Sequence, residues 1–119
     1  ILIKENHITA SGGLRNAIAQ ARRRAHHLMR VEAEVRNLTE FEEALSAGAD
    51  VILLDNMDLD AMREASRRIQ GQRVLLEASG NVTLDRVRMI AETGVHLISV
   101  GALTHSAPVL DMSLLIENV

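Results

Sequence analysis

The sequence predicts an α/β fold: parallel β/α units, five strands in all, forming part of a TIM-like α/β barrel. Three observations predict it. Short apolar runs of strand length alternate with segments of helical period. Three of the helical segments run into a glycine (Gly48, Gly71, Gly94), and a strand follows after a short connection. The second apolar run, Val31-Glu32-Ala33-Glu34-Val35, carries two carboxylates on one side by the strand's period of two. A doubly wound open sheet rarely places two acids in mid-strand, whereas a barrel interior opening into a site accommodates them.

Taken in order, Ile1-Leu2-Ile3 is the first strand. Leu14, Ala17, Ile18, Ala21, Ala25 and Leu28 then recur at spacings of three and four, which predicts a helix with one apolar face. Residues 31 to 35 form the second strand. The next helix is predicted to start at Thr39, with Glu42 three residues later in a capping box, and to bury Leu38, Phe41, Ala44 and Leu45. Val51-Ile52-Leu53-Leu54 is the third strand. A helix capped by Asp58 buries Leu59, Met62, Ala65 and Ile69. The fourth strand is Val74-Leu75-Leu76, followed by a helix capped by Thr83 that buries Leu84, Val87, Ile90 and Ala91. Leu97-Ile98-Ser99-Val100 is the fifth strand. The segment Ala47-Gly48-Ala49-Asp50-Val51-Ile52 resembles Thr93-Gly94-Val95-His96-Leu97-Ile98, a weak internal repeat of the kind stacked β/α units produce. The closing stretch DMSLLIENV, residues 111 to 119, reads as a strand or a short helix.

A chain of 119 residues is one domain's worth at most. With one Phe and no Trp or Tyr, its core must be built from Leu, Ile, Val, Ala and Met. A net charge of −3 and the lack of stacking aromatics argue against a nucleic-acid partner. The absence of cysteine excludes a disulfide framework, a thiolate metal site and a Cys nucleophile, and fits a cytoplasmic protein. No apolar run approaches the roughly 20 residues of a membrane span, and no signal-peptide pattern is present; no membrane partner is expected.

The polar residues fall at one place in each unit, the carboxyl end of the strand: Lys4, Glu34, Asp55 with Asn56, then Glu77, Ser79, Gly80 and Asn81, then Gly101, Thr104 and His105. In parallel α/β folds these ends gather at one face, where sites form. Glu34 and Asp55, on neighbouring strands, suit Mg²⁺, a hard cation that takes oxygen ligands and keeps several waters. The loops ASGN and VGALTHS offer glycine, hydroxyls and free N–H groups able to cradle a phosphate. Lys4 adds a point positive charge, and of the 13 Lys and Arg residues it is the only one expected at this face. Together these suggest a phosphorylated, magnesium-chelated substrate. Plainer readings apply elsewhere. Glu32 reads as an interior residue paired with a cation. Arg22, Arg23 and Arg24 read as a solvated last helical turn favoured by the helix dipole, and His26 and His27 as surface. For His105, a loop-structuring hydrogen bond and a substrate contact both stand. The methionines read as core filler and surface packing.

The motifs IKENH, VEAEV, AGADVILLDNM, LEASGNVTL and ETGVHLISVGALTHSAPVLDMSL, in this order, resemble the quinolinate phosphoribosyltransferases, the nicotinate-nucleotide pyrophosphorylases (carboxylating) of NAD biosynthesis. The resemblance covers nearly the whole chain. It implies an N-terminal α/β sandwich domain and an incomplete barrel, of which residues 1–119 are the later part, the sandwich and the first barrel strands being absent. It implies transfer from phosphoribosyl pyrophosphate to quinolinate with Mg²⁺, giving nicotinate mononucleotide, pyrophosphate and carbon dioxide, in a homodimer or higher homo-oligomer. It places Lys4 near quinolinate and the ribosyl centre, and Glu34 and Asp55 around the metal and ribose hydroxyls. Ser79, Gly80 and Asn81, with Gly101, Ala102 and His105, fall around phosphate. The family's Arg-Lys and His-Arg pairs, upstream of IK, have no counterpart in these residues, so the isolated chain is expected to be inactive. The contrasting reading is a non-catalytic half-barrel or flavodoxin-like scaffold that retains at most phosphate binding.

Overall fold

Five parallel strands hydrogen-bond in the order in which they occur along the chain. A computed structural model describes residues 1–118. It gives β1 (Leu2–Ile3), α1 (Glu5–Ser11), α2 (Leu14–Arg24), β2 (Glu32–Val35), α3 (Leu38–Ser46), β3 (Val51–Asp55), α4 (Leu59–Arg68), β4 (Leu75–Ser79), α5 (Leu84–Ala91), β5 (Leu97–Ile98) and α6 (Ala102–His105). A flavodoxin-like sheet would run 2-1-3-4-5. The order β1-β2-β3-β4-β5 is the steady progression of a barrel wall, so the predicted barrel arc stands and the flavodoxin-like arrangement does not.

The register sorts the side chains onto two faces. Ile3, Ala33, Ile52 and Leu76 lie in one row across the sheet, and Val35, Leu54, Ala78 and Ile98 in another. Ile3, Ala33, Val35, Ile52, Leu54, Leu76 and Ala78 are buried, and Ile98 packs against them. Ile18, Phe41, Met62 and Ile90 from four helices complete this core, so the single aromatic residue is fully enclosed between helix and sheet. The alternate residues, Glu32, Glu34, Val51, Leu53, Asp55, Leu75, Glu77 and Ser79, share the opposite face. Gly48, Gly71 and Gly94 each take a left-handed φ, as predicted.

The helices depart from the sequence pattern in definite ways. IKENHITAS contains a helix, α1, that apolar periodicity does not reveal because none of its residues is buried. The predicted stripe through Leu28 is too long. The backbone turns extended at Ala25, and Leu28 is 80% exposed. The third helix starts not at Thr39 but one residue earlier. Asn37 is its N-cap, accepting from the Glu40 amide at 2.9 Å, and the Glu40 carboxylate reaches back to the Arg36 amide at 2.8 Å. Asp58 caps α4 as expected, accepting from the Ala61 amide at 2.8 Å. Thr83 occupies the N-cap of α5 without a side-chain bond. In α5, Ile90 is buried and Val87 packs beside it, but Ala91 is exposed. Leu84 is 90% exposed, because the first turn overlooks a cleft with Val82, Val100 and Leu103 instead of the sheet. Residues 111 to 118, predicted as strand or helix, form neither, and Val119 lies outside the described residues.

Candidate active site

Each strand points its carboxyl end at one edge of the sheet, and the side chains expected to act arrive there. Asp55 and Ser79 are register partners at the last rung of β3 and β4. Glu34 sits one step below Asp55, opposite Leu53, and Glu77 lies in that same rung. Lys4 follows β1, and its Nζ lies 3.5 Å from Glu34 Oε2. The Glu34 side chain is 14% exposed and that of Lys4 51%, so the carboxylate is held while the ammonium faces solvent. The unexpected α1 has a local purpose here. The Lys4 amide donates to His7 Nδ1 at 3.0 Å and the Lys4 carbonyl accepts from the His7 and Ile8 amides, which fixes the backbone beneath the lysine.

The loops after β3 and β4 are tied together. The Asn56 amide donates to the Ser79 carbonyl at 2.9 Å, Asn56 Nδ2 donates to Asp55 Oδ1 at 3.1 Å, and Asn81 Nδ2 donates to Asn56 Oδ1 at 2.8 Å. Asn56 and Asn81 both have left-handed φ, 53° and 49°, a conformation that asparagine tolerates better than most residues. Gly80 passes so close that a Cβ there would stand 2.3 Å from Asn56 Oδ1. Only glycine fits between the two asparagines, and Asp55 is oriented as a result.

The loops beginning at Ser79 and Ser99 flank a cleft of about 440 Å³ lined by Ser79, Gly80, Asn81, Gly101, Ala102 and His105. Gly101 precedes α6. A Cβ there would meet His105 Nε2 at 2.8 Å, and its carbonyl accepts from Thr104 Oγ1 at 2.8 Å. His105 Nδ1 lies 2.9 Å from Ser106 Oγ while the ring borders the cleft, so both roles left open for it have a geometric basis.

Deeper on the same face, Ser99 Oγ donates to Glu77 Oε1, and the Glu77 carboxylate acts on Glu32. Burial, and then the Glu77 charge, push the Glu32 carboxyl above its ordinary value. The cation expected beside Glu32 is not among the described side chains: its Oε1 is buried and has no partner there. Two further expectations change. Arg22, assigned to a solvated turn, donates to the Gly48 carbonyl at 2.6 Å and to Asp50 Oδ1 at 3.3 Å, pinning the end of α2 to the loop before β3. Lys4 is also not the only cation at the carboxyl edge. Arg36 directly follows β2 and binds both Glu40 oxygens, at 2.8 and 3.4 Å, and this holds the Glu40 carboxyl below its ordinary value. Arg86 donates to the Asn81 carbonyl at 3.0 Å and steadies the loop after β4. The strand-end rule that selects Lys4 also selects Arg36, which follows Val35 directly. Arg86 carries no such signal, since its contact depends on how α5 enters.

The strand order defines this chain as an arc of a β/α barrel, with its polar groups gathered at the carboxyl ends of the strands. The chain belongs to the quinolinate phosphoribosyltransferase family: residues 1–115 match the family model described as "Quinolinate phosphoribosyl transferase, C-terminal domain". It is 40% identical over 114 residues to the probable nicotinate-nucleotide pyrophosphorylase [carboxylating] of Bacillus subtilis, covering 96% of this chain and 39% of that protein. It is 38% identical over 116 residues to the human nicotinate-nucleotide pyrophosphorylase [carboxylating], with the same coverage of each. Among solved structures it superposes on the nicotinate-nucleotide pyrophosphorylase of Francisella tularensis with a TM-score of 0.80 and 43% identity, over 87% of this chain and 36% of that one. The chain therefore spans about two fifths of the length of the curated relatives it matches.

Proposed function

We propose that the chain is the later barrel segment of a quinolinate phosphoribosyltransferase, the enzyme that makes nicotinate mononucleotide, carbon dioxide and pyrophosphate from quinolinate and phosphoribosyl pyrophosphate. The observation that carries this reading is the meeting of Lys4, Glu34, Asp55, Ser79 and Gly101 at one sheet edge in a chain of this family. The sandwich domain, the first barrel strands and the arginines for the quinolinate carboxylates lie outside residues 1–119 in this proposal. The working form is a homodimer or higher homo-oligomer in the cytoplasm. No helix among the described residues is long and apolar enough to cross a membrane.

In this reading Ser79, Gly80, Asn81, Gly101, Ala102 and His105 receive a phosphate of the donor in the cleft they line, where loop amides and hydroxyls are fixed in advance. Glu34 and Asp55 would hold Mg²⁺. Among the described residues no third acid or imidazole groups with them, and a two-carboxylate set fits a magnesium ion that keeps its waters and takes further oxygens from substrate phosphates. Such an ion would supply positive charge to the leaving pyrophosphate. Departure leaves positive charge on the sugar, and the Glu34 and Asp55 carboxylates stabilise it. Lys4 holds Glu34 in place and presents its ammonium to an anionic substrate group. No strong general base is required, because the quinolinate nitrogen is itself the nucleophile.

The test is steady-state turnover of the full-length polypeptide containing these residues, with E34Q and D55N. Each variant is expected to lower kcat by about 10²-fold or more, by the scale of lost transition-state charge stabilisation. Unchanged kcat in both variants would overturn the assignment.

A further inference from the structure

We propose that Glu32 and Glu77 form the acidic half of a buried ion pair whose cation, a lysine or arginine, is carried by a segment outside residues 1–119 that packs on the concave face of the sheet. This rests on the reading of residues 1–119 as a segment of a longer barrel, but not on the roles proposed for Glu34 and Asp55 in turnover.

Charge complementarity on that face carries the inference. Its rows hold four carboxylates, Glu32, Glu34, Asp55 and Glu77. Among the described side chains one ammonium answers them, and it is committed to Glu34 at the outer rim. One rung deeper, Glu32 stands beside Val51, which is buried, and its Oε1 is cut off from solvent with no hydrogen-bond donor. Glu77 has a hydroxyl donor, Ser99, on Oε1 only. The other arginines in ion pairs, at 22, 36, 63, 67, 68 and 88, are bound to acids in loops or on helices. The terminal ammonium of Ile1 is near enough to act on Glu32, yet it donates to the Arg30 carbonyl at 2.7 Å. A carboxylate oxygen enclosed without a donor must either take up a proton, the direction in which burial and Glu77 push Glu32, or meet a cation. A neutral covering strand would leave Glu32 and Glu77 to share one proton in a closed interior. A basic side chain entering between β2 and β4 answers both, and an arginine fork suits two acceptors on different strands.

The experiment uses the full-length polypeptide. Its crystal structure is expected to show a Lys or Arg nitrogen within about 4 Å of a Glu32 or Glu77 oxygen. Thermal melts of E32Q and E32L are expected to fall by about 5 °C or more, since each variant leaves that buried cation with Glu77 alone and one of its two acids missing. Replacing the cation by Met in the E32L background should restore part of the loss, the mark of direct coupling. The proposal is overturned by a structure in which only water or neutral groups meet Glu32 and Glu77, a result that needs no variant to fold. It is equally overturned by melting temperatures of E32Q and E32L at or above wild type.

Discussion

Replacing Gly80 by alanine tests the local architecture of the site directly. Two costs add. The first is backbone: Gly80 has φ 88°, and a Cβ in left-handed geometry costs about 1–2 kcal/mol. The second is steric. The new methyl would stand 2.3 Å from Asn56 Oδ1 and 2.4 Å from its Cγ, so the Asn56 side chain must leave. Its bonds to Asn81, at 2.8 Å, and to Asp55, at 3.1 Å, go with it. Each is worth about 0.5–1.5 kcal/mol, and solvent access at this edge puts them toward the lower end. The total is about 2–4 kcal/mol. With a urea slope of about 1.5 kcal/mol/M, the unfolding midpoint falls by about 1.3–2.7 M. Far-ultraviolet circular dichroism during a urea titration reads it. Gly48 supplies the control. Its φ is 82°, but a Cβ there meets nothing within 4 Å, so G48A should cost only the backbone part. In an N56G background, G80A should fall to the same smaller cost. Equal losses for G80A and G48A in the unmodified chain would refute the claim that Asn56 and Gly80 are fitted to each other.

Three other outcomes follow from the same geometry. The isolated chain of residues 1–119 should show no turnover of quinolinate, since each missing charge-assisted contact costs about 1.5–3 kcal/mol; robust activity would place the carboxylate-binding groups within it. Glu40 is held below its ordinary value by Arg36. A depressed folded value means this pair adds stability above the unfolded carboxyl range and loses it as pH falls through the folded value. The melting-temperature gap between wild type and R36Q should therefore narrow on acidification, and a gap that widens would contradict the sign. D58A should lose about 1 kcal/mol with its capping bond, while T83A, whose hydroxyl makes no such bond, should lose clearly less, both read by urea midpoints.

What could be read before any coordinates follows from how local each signal is. The period of two in β2 placed Glu32 and Glu34 on one face, and the three glycines just past the helix ends marked where helices hand over to strands; both depend on a few adjacent residues. The carboxyl-edge positions of Lys4, Glu34, Asp55 and Ser79 were legible for the same reason, because parallel strands all end on one side. Contacts between distant segments were not. No pattern in EASGN shows that Gly80 answers Asn56, twenty-four positions back, or that Arg22 reaches Asp50. Leu84 and Leu28 were misplaced because periodicity identifies a face but not whether anything lies against it. Helix α1 escaped notice because it buries no residue, so its sequence carries no stripe.

The strand at the far end of the order, β5, has two residues, whereas β3 and β4 have five. A parallel sheet edge is a row of unpaired amides and carbonyls, a template for pairing with whatever strand arrives. An edge of two residues offers few such bonds, so a strand laid beside β5 must be aligned chiefly by its side chains.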